Sequence, residues 1–353
     1  MIFRKSITSK TIARGWGLAL FAILVGACGN GSSVGTTTGG RTAVRLAVYS
    51  GSIYSMPLFI ASKQGFFTRN GLDVSLVPVS SGPNAMAAMA GGSVDSFSAS
   101  PEIVLPAVAR GLPFRLFAGV TKLNWELMGG EGTTSGAYPD VIKQLRGKKL
   151  GIVALGSNSQ AIAEAMLQDA GLSGSDVTFV AVGLGATAAS SLEGGQVQAV
   201  VTVTPAVPAI LASGKGKVLV DLRDPAIGPT YLRGKDYVAQ WANASFIAEH
   251  PTVITALRKS LAQADLWMHD KANFGAVKRV FADVLGGAVP DALLDKEVTD
   301  NLPILTSEYS RDALSAFIAF DVKYGFLKNP LDLSKLYAPG TPEDLGQVQA
   351  AAK

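Results

Sequence analysis

Residues that catalyse reactions or hold metal ions are scarce in this chain. Its 353 residues include one cysteine and two histidines, His250 and His269, and a single cysteine excludes a disulfide within the chain. Each histidine lies at an end of a predicted helix and far from any serine-bearing turn, so we expect no Ser-His-Asp triad. The sequence also lacks a Gly-x-Gly-x-x-Gly loop, a Walker loop and a His/Cys cluster with metal-ligand spacing. These absences predict a protein that is not an enzyme and carries no metal or other cofactor.

Charge is also sparse, and its positive excess is confined to the start of the chain. Charged residues make up 16% of the sequence, with 31 Lys and Arg against 27 Asp and Glu. Four of the basic residues (Arg4, Lys5, Lys10 and Arg14) lie in residues 1–28, so 27 of each sign remain beyond that segment. Because phosphate binding needs a basic face, this balance argues against a nucleic-acid partner.

Residues 1–28 have the pattern of a secretory signal. The basic residues precede an apolar run, 16–27, that is too short to span a bilayer stably. The run ends in Val25-Gly26-Ala27-Cys28, which resembles a bacterial lipobox, so we expect lipidation of Cys28; a buried free cysteine is the alternative. Residues 29–42 are rich in Gly, Ser and Thr and predict a flexible tether. We therefore expect an extracytoplasmic protein, lipid-anchored in the periplasm or on the outer face of the cytoplasmic membrane.

The rest of the chain, from about residue 43, alternates short Val/Ile/Leu strands with helical stretches. This alternation predicts α/β architecture with mainly parallel sheets, and the length suits two lobes. Strands are predicted at 44–49, 72–79, 114–120 and 149–153, and residues 218–222 and 236–247 are predicted to complete the second lobe. Long amphipathic helices are predicted at 252–269, 274–285 and 311–324, with apolar stripes that pack on the core or, alternatively, dock a partner.

A strand–turn–helix–strand pattern occurs twice. Residues 77–101 read VPVSSGPNAMAAMAGGSVDSFSASP, and residues 180–205 repeat the pattern. Aligning Val77 with Val180 also pairs Val94 with Val197 and brings the two Gly-Gly turns together. The repeat predicts two similar lobes that face each other across a ligand; chance similarity between Ala/Gly-rich helices is the alternative.

Small, hydroxylated or glycine residues follow most predicted strands. Ligands of open α/β sheets lie beyond the carboxyl ends of the strands, which here are the turns 50–54, 80–82, 98–101, 156–159, 183–187 and 202–205. Free backbone N–H groups at helix starts, with Ser or Thr hydroxyls, suit an anionic or carbonyl-bearing ligand; ordinary helix capping is the alternative. Trp125, at the predicted crossing between lobes, would contact the ligand or fill the core, and Tyr231 and Trp241 are weaker aromatic candidates.

Residues 56–95, MPLFIASKQGFFTRNGLDVSLVPVSSGPNAMAAMAGGSVD, resemble the start of a known family. The family is the extracytoplasmic solute-binding proteins of nitrate/sulfonate/taurine-type ABC importers. Its motifs match Pro57-Leu58, Ala61, Gly65, Phe67, Gly71–Val74 and Ala90–Asp95, and residues 145–160 and 331–337 are similar to later family segments.

The resemblance implies a two-lobed type II periplasmic-binding-protein fold with two interlobe crossings and a ligand cleft between the lobes. Lobe one would comprise residues 43–123 and 248–353, and lobe two residues 124–247. It implies a monomeric, lipid-anchored receptor that closes over a small organic anion and delivers it to an ABC permease with its ATPase. Carried over with the turn analysis, the ligand-binding residues would be Ser52, Tyr54, Ser81, Gly82, Ser98, Ser100, Trp125, Gly156, Ser157, Asn158, Thr187 and Thr204.

Other functions remain open on the same scaffold. No arginine or histidine is placed in the cleft, although some family members use one to hold their anion. A receptor for a thiamine-pyrimidine precursor or another heterocycle is one alternative, and an enzyme of the thiamine-pyrimidine synthase type is another. The synthase type is expected to carry a cysteine-rich motif and a site histidine, which this chain lacks. A surface adhesion or sensing protein is the third.

Overall fold

The computed structural model describes residues 40–340. Cys28, the expected signal and most of the expected tether lie outside these residues. Thr42, which we expected to end the tether, instead begins the first strand. None of the helices between residues 40 and 340 has the length and hydrophobicity needed to cross a bilayer.

Between residues 40 and 340, ten strands and twelve α-helices are interspersed, and the sequence predicted such an α/β arrangement. The strands are β1 Thr42–Tyr49, β2 Leu72–Val79, β3 Phe97–Ala99, β4 Phe114–Lys122, β5 Glu126–Gly129, β6 Lys149–Ile152, β7 Thr178–Ala181, β8 Ala199–Thr202, β9 Lys217–Asp221 and β10 Asp236–Asn243. The helices are α1 Met56–Lys63, α2 Phe66–Arg69, α3 Gly82–Ala90, α4 Pro101–Ala109, α5 Asn158–Asp169, α6 Ala186–Glu193, α7 Ala206–Ser213, α8 Ala244–Glu249, α9 Pro251–His269, α10 Phe274–Leu285, α11 Asp291–Asn301 and α12 Arg311–Lys323.

The first layer of strands runs in the order β2-β1-β3-β10-β4. Strands β1 and β2 pair in parallel over eight residues each. A parallel bridge between Leu46 and Ser96 joins β1 to the stretch leading into β3. Strand β10 then lies antiparallel between β3 and β4. The side chains of Arg45 and Asp95 reinforce this junction with an ion pair at 2.7 Å, so Asp95 has a structural role.

The second layer has the same design, in the order β7-β6-β8-β5-β9. Strand β6 pairs in parallel with β7 on one side and β8 on the other, as β1 pairs with β2 and bridges to the stretch before β3. Strand β5 is antiparallel to both of its neighbours, as β10 is in the first layer. Helix α6 follows β7 as α3 follows β2. The predicted internal repeat is therefore confirmed in the topology.

The placement of β10 corrects one sequence-based expectation. We assigned residues 236–247 to the second lobe, but β10 pairs only with β3 and β4 of the first layer. Six of the eight residues of β10 are buried, as expected for a central strand. Burial does not specify which sheet a strand joins, since both layers offer similar apolar neighbours.

The C-terminal helices cover the first layer. Helix α9 packs against β4 and α1, and α10 packs against α1. Their apolar stripes, including Leu257, Leu261, Val277 and Phe281, are buried in the core. The packing interpretation of these stripes is confirmed.

Candidate ligand-binding cleft

A small cavity lies between residues of the two layers. We call it the inner cavity; its volume is about 20 Å³, which is room for roughly one water molecule. It is lined by Tyr49, Tyr54, Ser81, Gly82, Ala99, Trp125, Val153, Asn158, Leu184 and Val238. The carboxyl ends of β1, β3 and β6 all lead into this set, as the position of ligands in α/β sheets predicts.

Helix α3 begins at the inner cavity from the first layer. Ser81 is its N-cap, and its hydroxyl oxygen accepts a hydrogen bond from the Asn84 N–H at 3.3 Å. Gly82, the first helical residue, has no room for a side chain, because a Cβ there would lie 2.4 Å from Ile103 Cδ1. The backbone at this helix start therefore approaches the cavity directly.

Helix α5 begins at the inner cavity from the second layer. Its N-cap Ser157 makes no capping bond with its side chain; its hydroxyl lies 2.8 Å from the Ser159 hydroxyl instead. Asn158, the first helical residue, lines the cavity, and its Oδ1 accepts from the Ser159 N–H at 3.0 Å. Two helix N-termini, one from each layer, thus bring positive dipole ends to one space.

Tyr54 and Trp125 form an aromatic wall. Their ring centroids are 5.8 Å apart with the planes tilted by 56°. Tyr54 is 3% exposed, and its hydroxyl has no hydrogen-bond partner within the described chain. Burial first, and the charge of Glu102 second, raise the pKa of Tyr54 well above its usual value. A residue of the cavity wall therefore has an unpaired polar group that a ligand can satisfy.

Behind this wall, Trp125 is connected to a buried carboxyl group. The indole Nε1–H of Trp125 donates to Tyr237 Oη at 3.0 Å, and Tyr237 Oη donates to Glu102 Oε1 at 2.5 Å. Ser100, the N-cap of α4, also donates to Glu102 Oε1, at 2.7 Å. Burial raises the pKa of Glu102 to about 7, and these hydrogen bonds oppose the rise. The other oxygen, Oε2, has no partner among the described residues.

A wider depression adjoins the inner cavity, and Leu184 lines both. This outer groove has a volume of about 630 Å³. It is lined by Ser50, Pro78, Val79, Ser80, Asn84, Gly183, Leu184 and Thr187. Both layers contribute to it, so it is the access side of the space between them.

The structure divides the predicted site residues into three groups. Tyr54, Ser81, Gly82, Trp125 and Asn158 line the inner cavity, and Thr187 lines the outer groove. The remaining predicted residues do not line either space; they are Ser52, Ser98, Ser100, Gly156, Ser157 and Thr204.

The residues of that last group have partners within the protein. Ser52 accepts from the Tyr54 N–H, and Ser98 Oγ accepts from the Gln240 side chain. Ser100 donates to Glu102, as described above. Gly156 has a positive φ of 72° and donates its N–H to Gln160 Oε1. Their residue types identify the turns correctly. Residue type does not show which hydroxyls already make hydrogen bonds within the protein.

Thr204 connects the two layers at another point. Its hydroxyl donates to Glu297 Oε2 at 3.1 Å, where Glu297 belongs to α11. Burial raises the pKa of Glu297. Nearby, burial also raises the pKa of Glu126 to about 8, and Arg223 at 3.2 Å opposes that rise. Thr204 is therefore an interlayer contact rather than part of the cavity wall.

Sequence reasoning missed several lining residues, mainly apolar ones. Tyr49, Val153 and Val238 lie in or just after strands, where apolar residues are expected whether or not they face a ligand. Tyr49 was identifiable only as a strand end; its hydroxyl donates to the Ser98 carbonyl at 2.6 Å. Tyr231 and Trp241, the weaker aromatic candidates, do not line the cavity or the groove.

Comparison with known proteins identifies the fold and the family of this chain. Two similar layers with a cavity between them define the type II periplasmic-binding fold, which confirms the expected fold and resemblance. A family model described as NMT1/THI5 like matches residues 52–272, more than half of the chain. The chain belongs to this NMT1/THI5-like family.

Individual relatives include both binding proteins and enzymes. A solved protein from Bordetella bronchiseptica is 25% identical, with a TM-score of 0.74 over 88% of this chain and 97% of its own. The alkanesulfonate-binding protein SsuA from Xanthomonas axonopodis, bound to MOPS, is 18% identical, with a TM-score of 0.66 over 84% of this chain and 96% of its own. The nitrate-binding protein NrtA from Synechocystis is 16% identical, with a TM-score of 0.69 over 88% and 89%.

A curated relative is a 4-amino-5-hydroxymethyl-2-methylpyrimidine phosphate synthase from Schizosaccharomyces pombe, 29% identical over 131 residues. That match spans 37% of this chain and 36% of the synthase, so the chain covers about a third of the length of this relative.

Proposed function

We propose that this protein is the solute-binding receptor of an ABC importer and captures a small organic anion between its two layers. The observation that carries the proposal is the inner cavity, to which each layer contributes a helix N-terminus and whose wall includes Tyr54, a residue whose hydroxyl has no partner in the described chain. These groups can hold an acidic or carbonyl oxygen without any protein cation. Solved relatives of the same fold bind alkanesulfonate and nitrate, which supports the class of solute.

The cavity volume of about 20 Å³ indicates that the lobes must part to admit a solute. A ligand that contacts both layers stabilises the closed state by its differential affinity for that state. We therefore expect capture without chemical change, followed by release to a permease with an ATPase partner. The proposed receptor is monomeric and extracytoplasmic, held at the membrane through lipid on Cys28.

A thermal-shift screen tests the receptor function. The panel should contain alkanesulfonates, nitrate, aromatic carboxylates and thiamine-pyrimidine precursors, with each compound recovered afterwards and analysed by mass spectrometry. We expect at least one compound to raise the melting temperature and to be recovered unchanged. Consumption of a compound without stabilisation by any member of the panel would overturn the proposal.

Two variants connect binding to the cavity. Tyr54→Phe removes the unpaired hydroxyl and should weaken binding of the stabilising compound about five-fold, the value of one hydrogen bond. Tyr309→Phe is the matched control, because Tyr309 is also buried, with a hydroxyl that has no partner between residues 40 and 340, but lines neither the cavity nor the groove. Equal effects of both variants would contradict a role for the cavity.

A receptor for a thiamine-pyrimidine precursor or another heterocycle is the second candidate. The partial match to the pyrimidine phosphate synthase and the aromatic wall of Tyr54 and Trp125 favour it. An enzyme on the same scaffold would instead need a catalytic group in the cavity, and no histidine or cysteine lines it among residues 40–340. The pyrimidine members of the panel distinguish these candidates by stabilisation or by turnover.

A further inference from the structure

We propose that closure of the two layers is coupled to a proton held between them, at the buried carboxyl groups of Glu126 and Glu297. We call these two residues the acid pair. The closed form holds the proton and the open form releases it, so low pH favours closure and high pH favours opening. This inference rests on the opening and closing of the proposed function, but not on the identity of the solute.

The second layer fixes the position of Glu126. In its sheet, Glu126 of β5 lies opposite Thr202 of β8 and Asp221 of β9. Residues directly opposite each other project their side chains on the same face of a sheet, so these three share one face. Thr204 follows Thr202 by two residues, and its hydroxyl donates to Glu297 Oε2 at 3.1 Å. Helix α11 therefore meets the second layer close to Glu126.

The first layer carries the other member of the acid pair. Glu297 belongs to α11, which packs on α10, and α10 packs on α1. The negative charge of Glu297 acts on Glu126 across the interface. When the layers part, α11 moves away with the first layer, and water reaches both carboxyl groups.

Both carboxyl groups of the acid pair are buried in the closed form. Glu126 is 2% exposed and Glu297 is 9% exposed. Glu126 Oε1 lies 3.2 Å from Arg223 Nη2, whereas its Oε2 has no partner in the described chain. Glu297 Oε2 accepts from Thr204 and from Asn301 Nδ2, each at 3.1 Å. Burial removes the hydration of a charged carboxylate and so favours the protonated form.

The surrounding cations do not neutralise the acid pair. The charged groups that act on it are Arg223, Asp221, Lys296 and Asp300. Arg223 already binds Asp221 through Nε at 2.9 Å and Nη2 at 2.7 Å, and Lys296 forms an ion pair with Asp300. Each cation thus has another acid as its partner, and a proton is what remains to neutralise the pair.

The acidity of the pair follows from this environment. Burial raises the pKa of Glu126 to about 8, with Arg223 opposing the rise and the neighbouring acids adding to it. Burial also raises the pKa of Glu297, and the hydrogen bond from Thr204 opposes that rise. A glutamate in water titrates near pH 4.3, roughly. Between about pH 4 and 8 the closed form keeps a proton that the open form loses, so each added pH unit lowers the ratio of closed to open molecules by up to about ten-fold.

Small-angle X-ray scattering of the ligand-free full chain tests the coupling. The radius of gyration should be measured at several values from about pH 5 to 9, with circular dichroism at each value to show that the fold is intact. We expect the radius to rise with pH while the helix content stays constant, and to fall again when the pH is lowered.

Two variants assign the response to the acid pair. Glu126→Gln and Glu297→Gln each keep a side-chain oxygen that accepts hydrogen bonds but cannot ionise. We expect each to weaken the pH response, and the double variant to keep the smaller radius across the range. Asp291→Asn is the control, because Asp291 is an exposed acid in the first turn of the same helix, α11, and its change should leave the response intact. If Glu126→Gln does not fold, Glu297→Gln carries the comparison.

The outcomes separate this inference from the receptor function. A radius that is the same across the pH range in the unaltered protein would overturn the coupling, and so would a pH response that survives in the Gln variants. If compounds stabilise the protein in the thermal-shift screen but the radius ignores pH, the receptor stands and the coupling falls. If the radius responds to pH through the acid pair but no compound binds, the coupling stands and the receptor falls.

Discussion

Thr204 donates a hydrogen bond to Glu297 Oε2 at 3.1 Å and thereby links the segment after β8 to α11. Helix α11 packs on α10, which packs on α1, so the bond joins the second layer to helices that cover the first. Both side chains are at least nine-tenths buried, which protects the bond from competition by water.

Thr204→Val should shift the protein toward an open form. Loss of one buried hydrogen bond costs about 1 kcal/mol, which changes the ratio of closed to open molecules about five-fold. Small-angle X-ray scattering should show a larger radius of gyration. Thr299→Val, which removes an exposed hydroxyl from α11 itself, is the control and should leave the radius unchanged. Identical scattering from both variants would show that the Thr204–Glu297 hydrogen bond does not hold the two layers together.

Tyr237→Phe should destabilise the fold more than Tyr309→Phe. The first change removes the acceptor of the Trp125 indole N–H and a donor to Glu102, so it should cost about 1–3 kcal/mol. The second removes a buried hydroxyl that has no partner among the described residues, so it should cost little. Urea unfolding measures both free energies. If Tyr309→Phe lowered the free energy of unfolding as much as Tyr237→Phe, the hydrogen bonds from Tyr237 to Trp125 and Glu102 would not be the cause of the destabilisation.

The free energy of unfolding should fall as pH rises from about 4 to about 9. In this range the buried acids keep their protons in the folded protein but lose them in the unfolded chain. Burial, with the Glu102 charge, raises the pKa of Asp321 to about 9, and burial raises that of Glu102 to about 7. A raised acid pKa means that the folded state retains its proton longer, so stability is highest below the unfolded value of about 4 and declines up to the folded value. Asp321→Asn removes this proton and should flatten the decline between about pH 4 and 9.

Urea unfolding at several pH values measures that slope. Asp312→Asn, at a side chain 77% exposed, serves as the control and should retain the decline of the unaltered protein. An Asp321→Asn slope equal to that of the control would show that Asp321 is not protonated in the fold.

Gly82→Ala should narrow the cavity and destabilise the protein by about 1–3 kcal/mol, because the new methyl group meets Ile103 Cδ1. Ile103→Val removes that carbon and should rescue the variant. A double-mutant cycle on melting temperature and ligand affinity measures the coupling. Additive effects would mean that the two side chains do not compete for the same space.

Cys28→Ser should release the protein from membranes. Lipidation of Cys28 is a prediction from the sequence, because Cys28 lies outside the described residues. Membrane fractionation and mass spectrometry of the N-terminus check it. Continued attachment of the variant would show that another feature anchors the chain.

Much of the architecture follows from the sequence because periodicity and turn chemistry are local. The strand Leu72–Val79 and the helix Phe274–Leu285 were predicted to the residue, since an apolar pattern with clear ends specifies each. The internal repeat also predicted that α3 and α6 occupy equivalent places. Sheet membership was wrong for β10, because the partners of a strand are long-range and its composition shows only that it is buried.

The candidate site was predictable as a set of turns but not as a surface. Ser81 and Asn158 were found because helix starts after strands have a recognisable composition. Ser98 and Ser100 have the same composition, yet their hydroxyls are taken by Gln240 and Glu102, whose positions depend on distant elements. The connection from Trp125 to Glu102 joins three separate segments of the chain and has no local signal.

The central position of β10 in the first layer also sets an order of assembly. All strands of the second layer lie within residues 126–221, whereas the first layer needs residues 42–122 together with 236–243. During synthesis the second lobe can complete its sheet while the first still waits for the strand between β3 and β4. Until that strand emerges, the facing edges of β3 and β4 are open to pairing with other chains. The nascent first layer is thus the part of this chain most exposed to wrong strand pairing before synthesis passes residue 243.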